Sequence, residues 1–474
     1  TILSIYLSIY LSMHSPSTHL ITLCSLLAVA LLLALPGATS SQEQRHASAA
    51  QPEKELLDAS WPGVAVSAVL VATRVSGLLL VSYFLFCLLR NTILVPLMFV
   101  PSVMLSQMPA FQTERSQRFT HLCAREPDVE VVTTRTSDQQ QLQGMCWRHP
   151  SQTCLPAAQQ RYVLFFNPNA ASYEDVAEFL VYYGREVGCN VACFNYRGTS
   201  SQLRSASPKT MADLILDGRA AMQYLTDQGI EPTNVLLHGH SMGGSVAVAV
   251  RGDSPEGPLI HDRSFRSFFG VVQATLQRAP PLAGIVFGLM GSWVGFLFSV
   301  GVLDVNFGSV IMYMFQGLVL FGVTGFFGAR YLSGCVRLFL WAIGWHVPVS
   351  RFWDSITGSR VVLYHPLDVV IPHPDASLAG CLARRTKDAQ KDIRVIQLSG
   401  LNSPNDHQPS QFYHCYPLSM YRSDWAEVVH CAQKALRLTT TTTTTAAATT
   451  GSHLHTVASS MSSVSSPGAH SVQP

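Results

Sequence analysis

Along this chain the spacing of apolar residues passes from unbroken runs to strand and helix periods and back, and each regime predicts its own element. Residues 20–35, LITLCSLLAVALLLAL, are continuously apolar and are followed by the small residues of PGATSS. That is the order of a secretory h-region with a cleavage site near 38–40, although no basic n-region precedes it. An uncleaved signal anchor over residues 1–40 is the alternative. The chain opens on Thr1 and repeats LSIY ahead of Met13, where translation is expected to start. A second apolar block, 61–105, is interrupted by Arg74 and Arg90. Its centre, VSGLLLVSYFLFCLL, is short for about 30 Å of hydrocarbon, but its flanks extend it, so the block predicts one membrane-spanning helix.

From Val129 the pattern becomes that of a folded domain. VEVVTTR and LQGMCWRHP predict two antiparallel strands around a polar turn. RYVLFFNPNAASYED predicts a strand, a loop and a helix reaching about Val187. CNVACFNYRG predicts another strand, and MADLILDGRAAMQYL has helical spacing. Strand and helix follow again over Val235–Val250. Strands resume at RVVLY and IRVIQL, and SDWAEVVHCAQKAL predicts the last helix. Such alternation predicts an α/β architecture, a mostly parallel sheet flanked by helices, over 129–279 and 347–438.

Between those two parts lies 280–346. Its runs PPLAGIVFGLMGSWVGFLFSVGVL and VNFGSVIMYMFQGLVLFGVTGFFGA are nearly uncharged and separated only by Asp304. The flanking strands share one sheet, so the insert must leave and return on the same side of any bilayer. Its length and its glycines predict a membrane hairpin with closely packed helices; a large apolar lid is the other reading. Residues 439–474, with their run of threonines and then alanine, serine and glycine, cannot bury a core and are expected to be disordered.

Candidate chemistry enters at VLLHGHSMGGSVAVAV. Here a short buried strand gives way to a helix through one residue, Ser241, with Gly239 and Gly243 two positions to either side and Gly244 behind. A single-residue joint forces a strained backbone, and neighbours without a Cβ relieve the crowding. The pattern is G-x-S-x-G, the nucleophile elbow, which lifts the serine hydroxyl above a sheet and aims the next backbone N–H at a developing oxyanion. A glycine-rich turn opening a helix would give the same letters.

Composition narrows the partners. Charged residues make up 13% of the chain and the net charge is +2, which excludes a basic nucleic-acid surface and points to membrane segments. The cysteines are irregularly spaced, with no C-x-x-C pair, and no H-E-x-x-H occurs. Neither a disulfide scaffold nor a metal site is expected, and no cofactor is implied.

Taken in order, FFNPNAASYED, FNYRGTSS, DLILDGRAAMQYL, NVLLHGHSMGGSVA and HDRSF resemble the chlamydial CHLPS-protein family of α/β-hydrolases. More distantly they are similar to monoacylglycerol-lipase-like and serine-aminopeptidase-like hydrolases. The resemblance covers about 129–438 without the insert, and it implies the α/β-hydrolase fold with the long apolar insert in the lid position. A triad in the chain order Ser, Asp, His is then expected. Asp368 follows the strand in GSRVVLYHPLDVVIP, where such hydrolases carry an acid before I/V-P. Asp262, in IHDRSF, is the weaker candidate and reads as an arginine-paired structural residue. For the base, the stretch IRVIQLSGLNSPNDHQPSQFYHCYPLSM offers His407, nearer the strand end and preferred, and His414 as runner-up. His238, His240 and His373 read as hydrogen-bonding neighbours. Met242 N–H is the first oxyanion donor. The second is expected from Asn169 or Ala170, because Pro168 carries no N–H.

These features predict a membrane-bound serine hydrolase acting on a lipid-like or acylated ester or thioester. A peptidase or a hydrolase-like scaffold without catalysis are the alternatives. Arg115, Arg118 and Arg125 after the second apolar block, against Arg45 and Lys54 before it, predict an endomembrane protein of the secretory pathway with its hydrolase domain in the cytosol.

Overall fold

The computed structural model describes residues 108–278 (except 170, 201, 202 and 204), parts of 281–296, then 307–328, 333–346, 349–384, 393–399 and 413–438. Three isolated helical positions between 76 and 87 are also described. The expected signal segment, nearly all of 61–105, and the tail 439–474 lie outside the described residues.

Two compact units divide the chain. One comprises Met104–Ser207, Leu214–Arg266 and Pro348–Pro474; the other comprises Thr1–Val103, Pro208–Asp213 and Ser267–Val347. The first is built on eight strands: β1 (Val129–Arg135), β2 (Gln141–Trp147), β3 (Tyr162–Phe166), β4 (Asn190–Phe194), β5 (Val235–His240), β6 (Leu259–Asp262), β7 (Arg360–Tyr364) and β8 (Ile393–Gln397). They form one sheet in the order β1-β2-β4-β3-β5-β6-β7-β8. β1 pairs with β2 and β2 with β4 antiparallel; every other pair is parallel. The helices are, in chain order, α1 (Pro109–Arg125), α2 (Tyr173–Val187), α3 (Met211–Asp227), α4 (Met242–Arg251), α5 (Phe268–Arg278), α6 (Phe307–Gly328), α7 (Ser333–Ala342) and α8 (Arg422–Ala435), of which α5, α6 and α7 belong to the second unit.

The hydrophobic patterns follow position in the sheet. β3, β4, β5 and β6 are buried at every residue. That is why they are rich in apolar residues without a strict alternation, since helices cover both faces of a parallel sheet. The edge strands β1 and β8 mix exposed with buried positions. α2 starts where the Ser172 N–H donates to the Asp175 carboxylate at 2.8 Å, half of a capping box worth about 1 kcal/mol. It stops at Gly188, whose φ of 83° continues the chain into β4 at no steric cost. Phe179, Tyr182 and Tyr183 of α2 stack or tilt against Trp425 of α8, closing one face of the sheet.

The second unit holds the insert. Among the described residues no helix is long and apolar enough to cross a membrane. α6 comes nearest, 22 residues with no charged side chain and Gln316 near its middle. Helical residues between 281 and 296 pack against it antiparallel through their glycines. A Cβ on Gly284, Gly288, Gly291 or Gly295 would press on the carbonyl of Gly322, Leu318, Gly317 or Tyr313 respectively, and Gly317 returns the contact to Gly291. Each glycine inside a helix costs about 1 kcal/mol against alanine. Five of them on one seam make sense only if close backbone contact repays that cost. The outer faces stay apolar: Leu289, Phe315 and Leu320 are 63%, 63% and 65% exposed.

Candidate active site

β5 ends at His240 and α4 begins at Met242, leaving Ser241 alone to turn the chain. It does so at φ 54° and ψ −121°, a conformation strained for any residue with a Cβ. Two contacts from the end of β6 hold it there. The Ser241 N–H donates to the Asp262 carbonyl at 3.0 Å, and the Ser264 hydroxyl donates to the Ser241 carbonyl.

The three glycines of the motif are explained by what surrounds them. A Cβ on Gly239 would run into the Gly243 carbonyl, and one on Gly244 into the Ser264 side chain. A Cβ on Gly243 would collide with the carbonyl oxygens of Phe166 and Asn167. Gly243 therefore lets the end of β3 lie against the first turn of α4, beside the expected oxyanion loop.

The Ser241 hydroxyl lies 2.8 Å from His414 Nε2, and His414 Nδ1 lies 2.7 Å from Asp368 Oδ2. All three residues are buried. Asp368 follows β7 in a tight turn, and its Oδ1 accepts from the Val370 and Ile371 amides, each at 2.9 Å. Those donors fix the carboxylate, leaving Oδ2 for the imidazole. With Nδ1–H donating to Asp368, Nε2 carries the lone pair that accepts from the serine, which is the tautomer a general base needs.

Of the two candidate bases, only His414 lies among the described residues. His407 lies outside the described residues, and the imidazole between Ser241 and Asp368 is that of His414. Nearness to the end of β8 favoured His407. Position beside the sheet selects a base, and the described turn 413–416, just before α8, holds His414 there.

The oxyanion side is less complete. Met242 opens α4, where a backbone N–H has no acceptor within the helix. Asn169 lies in the half-buried turn after β3, and Ala170 falls outside the described residues. The buried Asn167 amide donates to the Phe194 carbonyl at 3.3 Å and accepts from Cys193 Sγ at 3.3 Å, tying the loop to β4.

Four neighbours shape the electrostatics. Asp262 and Arg263 form a buried two-pronged pair at 2.8 and 3.0 Å. Burial alone would raise the Asp262 carboxyl, but Arg263 and the nearby imidazoles hold it well below the usual carboxylate range. His238 Nδ1 meets the Tyr183 hydroxyl at 3.1 Å, and its other nitrogen lies 3.7 Å from Asp262. Burial, and then Arg263, push the His240 imidazole well below its ordinary value, so it is neutral and its Nε2–H donates to the His414 carbonyl at 2.9 Å. His373 is engaged elsewhere, with the Ser377 hydroxyl at 3.0 Å. The sequence reading missed what Arg263 and His240 hold. The adjacent Asp-Arg in IHDRSF marked a pair, but nothing local marked its target.

Comparison with known proteins points the same way. No protein-family model matches the chain. Over 151 residues it is 32% identical to a multifunctional-autoprocessing repeats-in-toxin of Vibrio vulnificus, a match covering 30% of this chain and 3% of the toxin. Over 135 residues it is 33% identical to human alpha/beta hydrolase domain-containing protein 17B, covering 28% of this chain and 44% of that protein. The matched segments thus span less than half the length of these curated relatives. Among solved structures, an alpha-beta hydrolase from Vibrio vulnificus aligns with a TM-score of 0.39 at 15% identity, over 66% of this chain and 85% of that one. An esterase of Pyrococcus furiosus gives 0.38 at 14%, over 65% and 90%. Scores this low add nothing to the strand order and the sequence matches. What these support is the superfamily, and they add nothing for the chlamydial group.

Proposed function

We propose that this chain, a member of the α/β-hydrolase superfamily, is a serine hydrolase that cleaves a carboxylic ester or thioester. Ser241 attacks the acyl carbonyl while His414 takes its proton. Asp368 holds the imidazole and stabilises the imidazolium. The Met242 amide, with that of Asn169 or Ala170, binds the oxyanion. His414 then returns the proton to the leaving group, and water repeats the sequence on the acyl-enzyme. One observation carries this reading: the unbroken chain of hydrogen bonds from the Ser241 hydroxyl through His414 to Asp368, at 2.8 and 2.7 Å. The test is a fluorophosphonate probe, which reacts only with an activated serine. Wild-type protein in its native membrane should label, and Ser241→Ala should not. Wild type that stays unlabelled would leave a scaffold without catalysis.

The proposed substrate is lipid-like, presented at a membrane of the secretory pathway with the hydrolase unit in the cytosol. Support comes from the apolar outer face of the insert and from its glycine seam, since lipid cannot drive helices together as water does and small residues are what allow close packing there. Alkaline carbonate should leave the protein in the membrane pellet. Replacing 280–346 by a short linker should lower hydrolysis of long-chain esters in vesicles far more than that of short soluble esters. Recovery of the full-length protein in the carbonate supernatant would defeat the membrane reading.

A further inference from the structure

The proposed base stands on a short turn, 413–416, between β8 and α8, and not on the sheet that carries Ser241. Something must fix that turn for an imidazole to meet two partners at once. Its carbonyls are taken by donors from three directions. Arg263 Nη1 donates to Tyr413 O at 3.0 Å and to Tyr416 O at 2.6 Å, on either side of His414. The Tyr421 hydroxyl adds a second donor to Tyr413 O at 2.6 Å, and His240 donates to the carbonyl of His414 itself.

Arg263 is the centre of this arrangement. Its Nε and Nη2 are spent on the Asp262 carboxylate, which aims the remaining nitrogen at the turn. The guanidinium also lies over the Tyr421 ring, 5.5 Å from its centroid. The residue sits at φ 41°, a backbone conformation that persists only where surroundings over-determine it. A pair serving only to tie two strands would have no need of the carbonyls that flank the base.

We infer that Arg263, anchored by Asp262, is a positioning residue that sets the His414 imidazole between Ser241 and Asp368 by clamping the backbone on both sides of it. The inference rests on the triad reading above and assigns a regulator of its geometry. It separates Arg263 from lysine. An ammonium is a point charge on one nitrogen and cannot face a carboxylate and two carbonyls in fixed directions together.

The experiment compares full-length wild type, Arg263→Lys and the double variant Asp262→Asn/Arg263→Gln, which leaves no lone buried charge. Each is assayed with a short-chain p-nitrophenyl ester and by thermal unfolding. The expected result for Arg263→Lys is a fall in kcat on the order of 100-fold, with KM changed by no more than about threefold, because displacing a reacting group by about 1 Å costs that much while substrate contacts stay in place. The double variant should show the same split. A folded Arg263→Lys with wild-type kcat overturns the clamp, as does a loss that falls on KM. Failure of both variants to fold would mean that the pair holds the fold and not the base, which also overturns it. Inactive wild type that resists the fluorophosphonate overturns the triad reading itself, a result distinct from the others.

Discussion

Replacing His414 by alanine is expected to lower kcat on the order of a million-fold, while His407→Ala should stay within a few-fold of wild type. The asymmetry follows from geometry. The Ser241 hydroxyl has its acceptor at 2.8 Å in His414, and that ring has its own orienting carboxylate at 2.7 Å, so nothing remains for a second imidazole to do. Asp368→Asn should cost about 10⁴-fold in kcat, since its amide oxygen would stay with the Val370 and Ile371 N–H groups and its NH2 would donate to Nδ1, selecting the wrong tautomer. The losses should not add. Ser241→Ala combined with His414→Ala should be about as inactive as either alone, because the three groups act as one unit. Steady-state kinetics on a soluble ester decide the matter. A collapse in His407→Ala with His414→Ala still active would reverse the assignment.

The second large effect is expected at Gly243. Alanine there places a Cβ against the carbonyl oxygens of Phe166 and Asn167, which are backbone atoms of β3 and its loop and cannot swing aside. Overpacking of this kind costs about 3 kcal/mol or more, a sizeable part of the roughly 5–15 kcal/mol that holds a domain together. Relief would come by moving the loop away from the elbow, so the folded fraction should also lose kcat, on the order of 100-fold. Gly334 offers the control. A Cβ there meets nothing within 4 Å, so alanine should be neutral or stabilise α7 by up to about 1 kcal/mol. Thermal melting of both variants beside wild type provides the measure. A Gly243→Ala protein that melts and turns over like wild type would show that the close approach of β3 to α4 is dispensable.

Much of this protein was legible in its sequence, and the legible parts share a physical origin: they are set by neighbours along the chain. Periods of two and 3.6 placed the strands and helices, because side chains alternate across a strand and stripe a helix. An unbroken apolar run marked β3 and apolar cores marked β4 and β5, because a parallel sheet is covered on both faces. The G-x-S-x-G joint marked the elbow, because one residue between strand and helix needs room on either side. Asp368 was legible from its place at a strand end.

What the sequence left open depended on where distant segments return. His407 and His414 are seven positions apart between β8 and α8, and no local rule says which of them arrives beside a serine, 173 residues from His414 along the chain. Tertiary structure decided it, through the Arg263 guanidinium, the His240 ring and the Tyr421 hydroxyl that hold the turn before α8. The same holds for the glycines. Their spacing could be read in the sequence, but the carbonyl of Asn167 against Gly243, and that of Gly317 against Gly291, are contacts between segments the sequence keeps apart. Local sterics are written residue by residue, whereas a triad exists only where packing brings its members within hydrogen-bond reach.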